Sequence, residues 1–125
     1  MATVKSFDAV EARLRSARLA GDTFLVAAEG ELDLAVVPRL TESFAAIEGQ
    51  GARRLIVDLT DVTFLDSTAL GALLGEARRR RGHGDELVLV CDDPRTLRAL
   101  DVTGLRTAFE LHRTLRGALD AGMPA

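Results

Sequence analysis

The chain has 125 residues, 47% apolar but only 4% aromatic and without Trp or Tyr, which suits one compact domain with a core of Leu, Val and Ala. A net charge of −3 argues against nucleic acid as the main partner, because phosphate binding wants a basic surface. A lone cysteine excludes an internal disulfide and fits a reducing compartment, and with no membrane span of ~20 apolar residues and no apolar signal core in "MATVKSFDAVEARLR", the expected location is the cytoplasm.

Residues 10 to 15, "VEARLR", alternate strictly: Val10, Ala12 and Leu14 on one side, Glu11, Arg13 and Arg15 on the other. That is the period of a half-buried strand. "AGDT" (20 to 23) is a turn signal and "FLVAAEGELD" starts as a second strand, so an N-terminal hairpin is predicted. Residues 36 to 48 place Leu40, Phe44 and Ile47 on one helical face, with Pro38 tolerated in the first turn, and "GQGA" ends the helix. "RRLIVDL" (53 to 59) is a short apolar run, as in a strand buried on both faces. Residues 67 to 81 put Leu70, Leu73, Leu74 and Ala77 at i, i+3, i+4 and i+7, a helical stripe predicted to face the sheet. "LVLVC" (87 to 91) is a further buried strand. Asp93 as cap, Pro94 at the first helical position and Gly104 past the end bracket another helix. "TAFEL" (107 to 111) reads as a short edge strand, "RTLRGALD" (113 to 120) as the last helix and 121 to 125 as a frayed tail. Strands alternating with helices imply parallel pairing, and the first hairpin makes the sheet mixed. The fold class is therefore α/β, a single domain spanning 1 to 125 with its core at about 8 to 120.

Enzyme chemistry is sparse. His83 and His112 lie far apart, neither at metal-ligand spacing from Cys or His, and both read as solvated or capping residues. Cys91, at the end of an apolar strand, reads as a small buried hydrophobe. "GALLGEA" lacks the Lys and Ser/Thr of a phosphate-cradling loop. Ser67 lacks the glycines of a nucleophile elbow and has no evident base. No metal or cofactor is expected. "RRRR" (78 to 81) falls in the last turn of a predicted helix, where cations favour the dipole, and reads as a solvated helix end rather than a nucleic-acid patch.

"TFLDSTALG" (63 to 71) is the unusual stretch. Asp66 or Ser67 suits a helix N-cap. Opposite the leucine stripe the helix carries Thr68, Gly71, Ala72 and Gly75, with Glu76 at the edge. A face so small and uncharged permits close approach by another backbone, either a neighbouring helix of the same domain or a partner protein. Interior glycine costs about 1 kcal/mol relative to Ala, which solubility alone does not repay. A serine at such a helix start also suits a switch, because phosphate adds about −1.5 to −2 charge where free amides accept it.

Four segments carry a family resemblance: "GELD" (30 to 33), "LIVDLTDVTFLDSTALG" (55 to 71), "LVLVCDDPRTLRAL" (87 to 100) and "DVTGL" (101 to 105). Together the chain resembles a STAS domain of the anti-sigma factor antagonist type over roughly residues 20 to 120. The resemblance implies a mixed sheet of about five strands with about four helices packed against it. It implies phosphorylation of the serine after the aspartate, here Ser67, by a partner that is both anti-sigma factor and serine kinase, and resetting by a phosphoserine phosphatase. The kinase brings the ATP. The unphosphorylated antagonist binds the anti-sigma factor and frees a sigma factor; nothing in this role is enzymatic. Asp66, Thr68 and Ala69 then adjoin the switch, and Asp33, Thr68, Gly71, Ala72 and Gly75 form the partner-binding set. The family usually has glycine where this chain has Ala69, a methyl expected to affect kinase access or partner choice. STAS domains also serve as scaffolds of signalling complexes and as accessory subunits of transporters, in which Ser67 would be only a cap. A nucleotide or small-molecule sensor, and a hydrolase using Ser67, are the weaker alternatives.

Overall fold

A computed structural model describes residues 12–122. Val10 and Glu11, part of the predicted first strand, and residues 123 to 125 of the predicted tail lie outside the described residues. Strand β1 (Arg13–Ala20) turns back through Gly21, at φ 56°, into β2 (Thr23–Leu32). There follow α1 (Val37–Gly49), β3 (Arg54–Leu65), α2 (Ser67–Gly82), β4 (Glu86–Val90), α3 (Pro94–Val102), β5 (Glu110–His112) and α4 (Leu115–Ala121). The sheet has five strands in the order β1-β2-β3-β4-β5. β1 is antiparallel to β2, and every later pair is parallel.

Right-handed crossovers that always step in the same direction put their helices on the same face. Accordingly Leu40, Phe44 and Ile47 of α1, Leu73 and Ala77 of α2 and Leu100 of α3 share one core with Phe24, Val26, Leu55, Val57, Leu87 and Leu89. The alternate positions, Ile56, Val88 and Val90, point the other way and meet Ala118, Leu115 and Leu119 of α4. The period of two in "LIV" and "LVLV" thus fills both faces, as expected of central parallel strands. Cys91 is 1% exposed in the first core, and burial pushes its thiol pKa up.

Two strand boundaries depart from expectation. β3 runs six residues past Leu59, to Leu65, pairing with β2 as far as Leu32↔Leu65. The extension, "TDVTFL", has no apolar run because Thr60, Asp61, Thr63 and Phe64 face solvent; pairing with β2 and the packing of Val62 and Leu65 against the core hold it. Conversely β5 keeps only Glu110–His112, since Arg106–Ala108 winds into a single 3-10 turn. His112 ends this strand and does not stand solvated or as a cap. It is half-buried, with Nε2 2.7 Å from Glu110 Oε2, while Thr114 caps α4. His83, by contrast, sits at the C-cap of α2 with Nδ1 2.9 Å from the Arg79 carbonyl.

The arginine run is the larger correction. Arg78, Arg79 and Arg81 are exposed, but Arg80 is 1% exposed and points inward. Its Nε donates to Glu76 Oε2 at 2.7 Å, and Glu76 also pairs with Arg79, which in turn reaches Glu48 of α1. At i and i+4, Glu76 lies on the same side of α2 as Arg80 and carries its charge inside. The run therefore ties two helices together, where a solvated end was expected.

Candidate functional site

The C-terminal ends of the parallel strands form one edge of the sheet. Here β3 ends at Leu65 on that edge and the chain turns directly into α2. Asp66 is the N-cap, extended at φ −89° and ψ 173°, and its Oδ1 accepts the Ala69 N–H at 2.8 Å. Ser67 is therefore the first helical residue and not the cap. Its hydroxyl is free of capping duty and its side chain is exposed.

Beyond Ser67, the residues expected to face outward divide. Thr68, Gly71 and Gly75 are exposed, and a Cβ built on either glycine meets nothing within 4 Å. No neighbouring helix of the described residues packs against them. Ala72 is half-buried, because it sits at i+3 from the buried Ala69 and flanks the stripe. The inward stripe is Ala69, Leu73, Ala77 and Arg80, with Leu70 and Leu74 half-buried against the same core. Ala69, 1% exposed, turns its methyl into that core. Asp33 is half-buried and occupied locally: its Oδ1 accepts the Ala35 N–H at 3.0 Å and its carbonyl accepts the Val36 N–H at 2.9 Å, forming the turn between β2 and α1.

Two exposed apolar side chains flank this corner. Leu34 is 67% exposed and Phe64 52% exposed. Leu34 comes next to Asp66 because the carboxylate's Oδ2 accepts the Leu34 N–H at 3.1 Å. Beside Phe64, a groove of about 410 Å³ runs between the corner and α3, lined by Ser67, Leu70, Arg95, Thr96 and Ala99 among others. At the start of α3, Asp93 caps the helix, and the Arg95 backbone N–H and then its guanidinium hold the Asp93 carboxyl below its usual value. The sequence pointed to Asp66 and Ser67. It gave no sign of Leu34, whose place depends on a bond spanning 32 residues, and only its aromatic character marked Phe64. No histidine lines the groove. Among the described residues no three His, Cys, Asp or Glu side chains gather as a metal site, and no helix is long and apolar enough to cross a membrane.

With that geometry in place, the family described as STAS domain matches residues 15–118. The chain is a STAS domain. Its relatives include the anti-sigma-B factor antagonist of Listeria monocytogenes, 33% identical over 82 residues that make up 66% of this chain and 72% of the relative. The anti-sigma-B factor antagonist of Staphylococcus aureus is 33% identical over 83 residues, 66% of this chain and 77% of the relative. An anti-sigma factor antagonist from Mycobacterium paratuberculosis superposes with a TM-score of 0.79 at 28% identity, covering 89% of this chain and 93% of that one. The unphosphorylated form of the antagonist SpoIIAA, from Bacillus, superposes at 0.75 with 20% identity over 90% and 100% of the two chains, a likeness of fold. The mixed five-stranded sheet with four helices is the architecture of that STAS fold.

Proposed function

We propose that this STAS domain is an anti-sigma factor antagonist whose binding is switched at Ser67. The observation that carries the reading is Ser67 itself: exposed, released from capping by Asp66, and leading into the bare face of Thr68, Gly71 and Gly75. An unmodified Ser67 leaves this face neutral and open to the backbone of an anti-sigma factor. A phosphate on its Oγ, near the first-turn amides of α2, is compatible with the fold and puts about two negative charges at the rim of the docking face. The partner then loses contact with a surface it fitted only when neutral. That SpoIIAA has been solved in both phosphorylated and unphosphorylated forms supports a fold able to carry the modification. The kinase is the anti-sigma factor, a separate phosphatase removes the phosphate, and the cycle runs in the cytoplasm. In this reading the domain's part is binding, and the kinase and phosphatase supply the chemistry.

The test compares wild type, Ser67→Ala and Ser67→Asp. With the cognate kinase and ATP, intact mass rises by one phosphate on Ser67, and the Ala variant shows no rise. The Ala variant binds the anti-sigma factor as wild type does, whereas the Asp variant folds normally and binds at least about tenfold more weakly, a difference of about 1.4 kcal/mol. Phosphate found on Thr68 alone, or equal affinity of the Asp variant, removes Ser67 from the switch.

A further inference from the structure

Asp66 holds amides of two different elements. Oδ1 accepts the Ala69 N–H of α2 at 2.8 Å, and Oδ2 accepts the Leu34 N–H of the loop between β2 and α1 at 3.1 Å. Capping needs only the first of these bonds. The second reaches a residue whose apolar side chain is held out in solvent, 67% exposed. The loop's other bonds are the local ones from Ala35 N–H to Asp33 Oδ1, from Val36 N–H to the Asp33 carbonyl and from Val37 N–H to the Leu34 carbonyl at 3.4 Å, with the Asp66 N–H on the Leu32 carbonyl at 3.1 Å at its foot. Among the described residues, Asp66 is the one side chain of another element that bonds to this loop.

We propose that Asp66 is a positioning residue that couples the state of Ser67 to the placement of Leu34, so that phosphorylation changes the apolar contact surface as well as the local charge. This rests on Ser67 being the switch. The neutral hydroxyl of Ser67 makes no demand on the first-turn amides, and the carboxylate is free to hold both N–H groups. A phosphate on Ser67 draws on the same amides, the Ala69 N–H among them. It also sets a dianion beside a carboxylate on the adjacent residue, and like charges at that range disfavour each other. Repulsion then moves the carboxylate out of its two-handed position; the phosphate can satisfy the Ala69 N–H in its place, whereas the Leu34 N–H, held by Asp66 Oδ2, is left without its acceptor. The exposed leucine loses its fixed place at the rim of the docking face at the moment that face becomes charged.

The test reads the Leu34 amide directly by NMR hydrogen exchange on the purified chain, with phosphoserine inserted at position 67 during synthesis so that no kinase is involved. In the unmodified protein the Leu34 amide is protected. With phosphoserine its protection falls about tenfold or more while that of Val57 in the core is unchanged. Asp66→Ser, whose hydroxyl caps Ala69 but cannot also span to Leu34, exposes Leu34 without any phosphate and leaves the Ala69 amide protected. Asp66→Asn serves the same purpose if the serine variant folds poorly, since its amide has one acceptor oxygen in place of two. Equal Leu34 exchange with and without phosphate overturns the coupling, and undiminished protection in both Asp66 variants overturns the tether. If kinase assays show that Ser67 is never modified, the switch reading fails separately, and the tether is still judged on the unmodified chain.

Discussion

At its C-terminal half α2 carries Glu76, Arg79 and Arg80 in one ion-paired network that reaches Glu48 on α1; at its N-terminal half Thr68, Gly71 and Gly75 are exposed, and a Cβ on either glycine meets nothing within 4 Å. The same contrast holds across the sheet. At the N-terminal edge of the parallel strands Arg54, 8% exposed, donates to Glu86 at 3.1 Å, to Glu110 at 2.9 Å and to the Ala118 carbonyl at 3.1 Å. At the C-terminal edge stand Ser67, Leu34 and Phe64, exposed. Paired charges join helix to helix and strand to strand, whereas Thr68, Gly71 and Gly75 on the outward face of α2 carry none. A bare face is thus informative here because the same helix shows what α2 looks like when it is used for structure.

Leu73 and Leu74 break the comparison in the middle of the helix. Leu73 is fully buried, and Leu73→Ala should cost about 2–5 kcal/mol in denaturant unfolding. Leu74 is half-buried at the edge of the core, so Leu74→Ala should cost clearly less. Equal losses would mean that the helix is rotated from the orientation described.

Two glycines sharpen the comparison between the edges. A Cβ on Gly122 would lie 2.5 Å from Arg54 Nε, a side chain that its carboxylate partners hold in place. Gly122→Ala should therefore destabilise by about 1–3 kcal/mol, as overpacking does. A Cβ on Gly75 meets no atom within 4 Å, and Gly75→Arg removes a poor helix former, so thermal stability should hold or rise by up to about 1 kcal/mol. Its effect should fall on anti-sigma factor binding, weakened about tenfold or more by calorimetry or surface binding. Unchanged affinity would take this face out of the interface.

The N-terminal edge also has a pH signature. Hydrogen bonding from Arg54, and secondarily from His112, lowers the Glu110 pKa from 4.5 to about 2. A carboxylate depressed in the folded state contributes stability above its unfolded pKa, and that contribution drains away as pH falls through the folded value. The melting temperature should thus decline between about pH 4.5 and pH 2, and Glu110→Gln should flatten that decline. Glu110 is about a third exposed, so solvent screening keeps the effect small.

How much of this could be read from the chain varies with the range of the contact. α3 was legible because Asp93, Pro94 and Gly104 punctuate it locally, and Ser67 was legible because a hydroxyl beside an aspartate opens an uncharged helix face. The second half of β3 was hidden, since its polar residues are strand only by pairing with β2. The outward stripe was nearly right, missing that Ala72 lies on its flank. Leu34 was invisible because its position is set by Asp66, across the turn, the whole of α1 and β3. Arg80 was misread for a related reason: four successive arginines look alike in sequence, and only the helix phase and Glu76 one turn earlier single out the one that enters the core.

Arg80 gives the smallest expected effect and the finest test of the contrast within α2. Its Nε is paired with Glu76, but Nη1 and Nη2 are buried without a hydrogen-bond partner in the protein. A buried guanidinium so incompletely matched has a desolvation penalty close to what its ion pair returns. Glu76, moreover, keeps Arg79 as a partner at 2.7 Å when Arg80 is gone. Arg80→Met, of similar length and without charge, should therefore change unfolding free energy by less than about 1 kcal/mol, with stabilisation the favoured sign. Arg80→Ala should lose more than Arg80→Met, because it empties the space as well as removing the charge. If the methionine variant were destabilised as much as the alanine variant, the charge itself would be holding α2 to α1. The paired half of the helix would then owe its position to electrostatics and not to the packing of Leu73 and Ala77.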